Sequence, residues 1–68
     1  MNNNNLIQKI QNLSGQLVIQ MMNNNMSNDE AEDAVLVILK EHLEAGKSSI
    51  EDFRECIMTL EMLLGKYD

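Results

Sequence analysis

Few side chains in this sequence could take part in chemistry: one thiol, Cys56, one imidazole, His42, four serines and eleven carboxylates. Cys56 with His42 has the composition of a nucleophile–base pair. Such a pair needs hydrogen-bond reach, oxyanion donors and usually a strained turn beside the nucleophile. No such turn adjoins Cys56, which falls beside an apolar helical stripe, where cysteine acts as a small hydrophobe. Ser14, Ser27, Ser48 and Ser49 have only His42 as a possible base, and nothing in the order of residues marks any of them as its neighbour. His42 sits in an apolar stripe with Val35, Ile38 and Leu39. Its helical neighbours four residues away are Ile38 and Gly46, so it has no companions for a metal. It reads as a structural histidine held by a hydrogen bond. Asp29-Glu30-Ala31-Glu32-Asp33 lacks the glycine and alternating oxygen ligands of a calcium loop. These residues predict no catalytic site, no metal, no cofactor and no small-molecule substrate; the chain is expected not to be an enzyme.

The elements that carry these residues are helices. The chain has no proline, three glycines and two aromatics, and is rich in Leu, Ile, Met, Glu and Gln. After a polar lead over residues 1–5, Leu6, Ile10, Leu13, Leu17 and Met21 recur at spacings of four, three, four and four. That predicts a helix over about 5–22. Ile7, Val18 and Met22 widen the stripe on one flank, and Ser14-Gly15 interrupts it. Residues 23–28 read as a loop or frayed end. Ser27 and Glu30 have capping-box spacing and open a second helix over about 28–45, with acids in its first turns and Gly46 as its stop. Its stripe is Ala31, Ala34, Val35, Ile38, His42 and Ala45. Ser48 and Glu51 repeat the capping-box spacing before a third helix over about 49–64. There Ile50, Phe53, Ile57, Leu60, Leu64 and Tyr67 form one face and Gly65 is the stop. The expected fold is all-α: one small domain of three helices, with helices two and three as an antiparallel hairpin.

Sixty-eight residues bury only about 60% of the surface the unfolded chain exposes. Small cores therefore need a staple. A single cysteine excludes an internal disulfide, and one histidine leaves no zinc cluster, so dimerisation is the expected completion. A lone thiol fits a reducing compartment. The asparagine-rich start lacks the basic and apolar regions of a signal peptide, and the longest apolar run, residues 34–39, is too short for a membrane span. A cytoplasmic location without membrane association is expected.

Net charge is −6, unevenly distributed: Lys9 is the only charge up to residue 28, and four basic against eleven acidic side chains follow, a net −7. The second and third helices resemble a helix-turn-helix in spacing only. Glu51, Asp52, Arg54, Glu55 and Glu61 on the third would present net negative charge to phosphates, so direct nucleic-acid binding is not expected. The same acids could instead imitate phosphates on a nucleic-acid-binding protein. Methionine points to contact surfaces: Met58 and Met62 project from helix three away from its apolar stripe, and Met21, Met22 and Met26 gather at the end of helix one. The expected interface residues are Met58 and Met62, with Leu6, Ile10, Leu13, Leu17 and Met21. The expected function is a small acidic protein-binding regulator or inhibitor, homodimeric and binding another protein, of a kind that suits a bacterial or phage-encoded modulator. The alternatives are the nucleic-acid mimic and a purely structural subunit.

Overall fold

A computed structural model describes residues 3–44 and 46–66. Met1 and Asn2 of the polar lead, Ala45 of the second stripe and Tyr67 of the third lie outside the described residues. Three helices pack together, α1 (Asn3–Asn23), α2 (Asn28–His42) and α3 (Ile50–Leu63), with no strand among the described residues. The apolar run Val35 to Leu39 is therefore helical. Its Leu36 and Val37 are exposed, so the run is not buried on every face.

Each helix end has an identifiable chemical cause. Asn25 takes a left-handed φ of 73°, the Met26 N–H donates to the Met21 carbonyl, and the Asn25 N–H donates to the Met22 carbonyl. These two bonds make a Schellman close, with asparagine in the position glycine usually occupies. The segment expected to be a loop or frayed end is thus a loop that opens on a defined cap. Ser27 starts α2 as its N-cap, its hydroxyl accepting from the Glu30 N–H at 3.2 Å. The Glu30 carboxylate accepts from that hydroxyl at 2.9 Å rather than reaching back to the N-cap backbone. Asp29 and Glu30 in the first turn and Lys40 in the last complement the helix dipole.

Two boundaries differ from the sequence expectation. The second helix ends at His42, not near residue 45: Leu43 is extended and half-buried against the core, its N–H still donating to Leu39. Gly46, with φ of 75°, serves a separate turn in which the Lys47 N–H donates to the Glu44 carbonyl. The third helix is capped one residue later than expected. Ser49 and Asp52 form the reciprocal capping box, with bonds of 3.2 and 2.9 Å. Ser48 is occupied elsewhere: its hydroxyl accepts from the Glu44 N–H and donates to the Glu44 carbonyl, pinning the connection. Both serines have an acid three residues on, and the loop geometry chooses between them. At the far end Gly65, with φ of 74°, closes α3 in a second Schellman motif, Lys66 to Glu61 and Gly65 to Met62.

Ile10, Leu13 and Leu17 of α1, Val35 of α2, and Cys56, Ile57 and Leu60 of α3 form one buried cluster, with Leu6, Met21, Ile38, Phe53 and Leu64 packed against it. The α1 helix contacts both others, most extensively α3, and the α2–α3 contact is the smallest of the three. The organising element is therefore α1. The reason is its length: 21 residues carry an apolar row, Leu6 to Met21, long enough to serve both neighbours. The molecule measures 38 × 27 × 16 Å. Three helices around one cluster leave each helix a face toward solvent, as the exposed Ile19, Val37 and Met62 show.

Gly15 lies inside α1, and a Cβ built there meets nothing within 4 Å. Glycine in a helix interior costs about 1 kcal/mol against alanine. Gly15→Ala should therefore stabilise the isolated chain by about 1 kcal/mol and raise its Tm by roughly 4–8 °C, measured by circular dichroism melting. An unchanged or lower Tm would show that the position is constrained within the chain.

Candidate protein-binding surfaces

His42 projects from the last turn of α2, and its Nε2 lies 3.1 Å from the Thr59 hydroxyl in a half-buried contact. Either group can donate, depending on the ring tautomer. The bond ties the end of α2 to the middle of α3, the pair of helices with the smallest contact. Cys56 is fully buried in the shared cluster, and removal from water pushes its thiol above the ordinary value of 9.0. A nucleophilic cysteine needs the opposite, a stabilised thiolate open to a substrate. Ser27, Ser48 and Ser49 are engaged in helix caps and the loop clamp already described. Among the described residues no three His, Cys, Asp or Glu side chains converge as metal ligands. No described helix is long and apolar enough to cross a membrane.

Exposed apolar side chains occur on all three helices, Ile19 and Val37 among them, and two groups stand out. On α3, Met58 and Met62 are 42% and 63% exposed, opposite the buried Cys56, Ile57 and Leu60. The 100° helical projection places them among Glu51, Arg54 and Glu55, as the sequence implied. Along the junction of α1 and α2 runs an open groove of about 390 Å³. Ser14, Gly15 and Val18 form its α1 side; Leu36 and Leu39 form the α2 side, with Glu32 and Asp33 beside them. Ile7 and Met22, both exposed, continue the same flank of α1 beyond the groove in projection. The Ser14 hydroxyl is shielded from solvent and finds no hydrogen-bond partner among the described residues. Leaving a buried hydroxyl unpaired costs about 1–3 kcal/mol.

The α1 residues expected at an interface occupy a different setting. Ile10, Leu13 and Leu17 are buried in the chain's own cluster, and Leu6 and Met21 are half-buried against it. Polar contacts on the opposite flank of α1 fasten it to α3: Gln20 donates to the Leu63 carbonyl at 3.2 Å, Lys66 to the Gln16 side-chain oxygen, and Lys9 lies 3.9 Å from Glu61. The groove was not singled out from sequence. Its signal was the flank Ile7, Val18 and Met22 together with Ser14-Gly15, which look like a broadened core stripe and a helix defect until α2 is placed beside them.

No family model, curated protein or solved structure matches the chain.

Two variants test the interior polar and ionisable groups. Thr59→Val keeps the shape but removes the hydroxyl from His42, and should lower unfolding free energy by about 0.5–1.5 kcal/mol in urea titration. No loss would show that the bond contributes nothing to the α2–α3 contact. For Cys56, a folded-state pKa raised above the unfolded value means that its contribution is complete below about pH 9. It is lost as pH rises through the folded value, at no more than about 1.4 kcal/mol per pH unit. Between pH 7 and 10 the parent should therefore lose more stability than Cys56→Ala. Parallel profiles would overturn the assignment.

Proposed function

We propose that this chain is a small acidic regulator or inhibitor that acts by binding proteins, as a homodimer that also engages a second protein, and that it is not an enzyme. The observation that carries this reading is the pair Met58 and Met62, one helical turn apart and exposed on α3. Large apolar side chains on a solvated face gain by being covered, each by about 1.5–3 kcal/mol when burial is complete. Methionine adapts its shape to a partner at little cost. In this reading α2 and α3 form an antiparallel hairpin, and a twofold axis brings two α3 faces together. Leu6 and Met21, half-buried against the chain's own cluster, are the next α1 candidates if the contact lies off α3. Ile10, Leu13 and Leu17 enter it only if α1 is exchanged between copies, each stripe then filling the partner's cluster as it fills its own. A cytoplasmic location belongs to the same reading.

The exposure of Asp29, Glu30, Glu32, Asp33, Glu41, Glu44, Glu51 and Glu55 favours one competing reading, a carboxylate surface that imitates a phosphate backbone. The two differ in salt dependence. Binding through exposed charges weakens steeply as salt is added, whereas binding through apolar side chains does not.

Replacing both methionines with glutamine keeps helix propensity nearly constant and removes the apolar contact. Light scattering at micromolar concentration should give twice the chain mass for the parent and one chain mass for Met58→Gln/Met62→Gln. The dimer Kd should rise roughly 100-fold or more. A parent that is monomeric, with a Tm independent of concentration, would refute the dimer. A double variant that keeps the parent's mass would move the interface away from α3.

A further inference from the structure

We propose that the groove between α1 and α2 is a second docking surface, one that receives an amphipathic helix with basic flanks supplied by another protein. The inference rests on the protein-binding reading but uses a different face from the methionine pair. Three features of the groove converge. Gly15 leaves its wall open at the point where α1 would gain most from any other residue, and nothing within the chain needs that space. A glycine there lets a helix approach the α1 backbone closely. Half-buried Val18, on the same α1 flank, adds an apolar side chain to that wall. Leu36, 47% exposed, gives the opposite side an apolar wall, and the groove is open along its length, which suits a row of side chains better than an enclosed small molecule.

Charge selects the occupant. Glu32 and Asp33 stand beside the apolar strip, and the chain from residue 29 onward carries a net −7. A helix with lysine or arginine on either side of its apolar stripe meets opposite charge there, and is steered toward the groove from a distance. A second copy of this chain is the poorer occupant. Its exposed methionine face would bring Glu51 and Glu55 toward Glu32 and Asp33, and like charges brought together suppress pairing.

The test uses the full chain and a fluorescent 18-residue helical peptide with one leucine stripe flanked by lysines. Controls are the same peptide with glutamate in place of lysine, and a lysine peptide with its leucines scattered around the helix. Anisotropy should show one lysine peptide bound per chain, with both controls at least roughly tenfold weaker. Gly15→Leu, which improves helix propensity while filling the groove, should weaken the lysine peptide by at least about tenfold. Leu36→Gln should weaken it on the opposite wall, giving an independent readout if Gly15→Leu perturbs the fold. Met58→Gln/Met62→Gln should leave peptide affinity unchanged, so failure of the groove and failure of the methionine interface are separable. The proposal is overturned by equal binding of the lysine and glutamate peptides. It is equally overturned by unchanged affinity in both groove variants, or by a Gly15 amide resonance that moves with the protein's own concentration, the mark of a second copy in the groove.

Discussion

Ile10, Leu13 and Leu17 enter one cluster with Val35, Cys56, Ile57 and Leu60, and every other feature of the molecule follows from that shared contact. None of the three helices buries its apolar stripe without the other two. Removing α1 would uncover α2 and α3 together, because their contact with each other is the smallest in the molecule. The cluster also places the polar groups. With Leu13 and Leu17 directed inward, Gln16 and Gln20 fall on the flank toward α3, where they meet Lys66 and the Leu63 carbonyl, and Ser14 and Val18 fall on the flank toward α2. One rotation of α1 about its axis thus determines both the polar seam with α3 and the groove with α2.

A thin molecule has little interior to spend on burial. Sixteen ångströms accommodates one shared core layer and no more, so residues that widen a stripe beyond its buried centre remain at the surface. Leu36, Val37, Ile19 and Met22 are of this kind. The connections are tightly specified by contrast. Two Schellman closes, a capping box and the Ser48 clamp on Glu44 satisfy helix-end backbone groups that so small a domain cannot hide. Local hydrogen bonding thereby fixes where helices begin and end, while the cluster fixes how they lie.

The charge pattern and the exposed apolar pattern overlap without coinciding. The carboxylates concentrate from residue 29 onward, on α2, α3 and the segment between them, whereas α1 carries only Lys9. The α1–α2 groove lies where the nearly neutral and the acidic halves meet, and the α3 methionines lie within the acidic half. Two apolar surfaces in different electrostatic settings suit different partners, and this difference separates the self-association proposed for α3 from the basic helix proposed for the groove.

Residue spacing was enough to give three helices, the buried centres of the α1 and α3 stripes and the outward placement of Met58 and Met62, though Ile50, read as the first residue of the α3 stripe, stays exposed at the helix start. Helical periodicity is a local property, and 3.6 residues per turn converts spacing directly into direction. It also carried enough to foresee a hydrogen-bonded His42, though not that the partner is Thr59, seventeen residues away. Tertiary structure alone decided that α1 is the hub, because stripe width does not say which neighbour each flank meets. It decided that Ser49 rather than Ser48 caps α3, and that α2 stops at His42, because Leu43 is drawn into the core and Ser48 is drawn to Glu44. It decided, too, that Ser14-Gly15 is the wall of a groove rather than a flaw in a helix. A groove belongs to two elements at once, and spacing along one of them cannot show what stands on the other side.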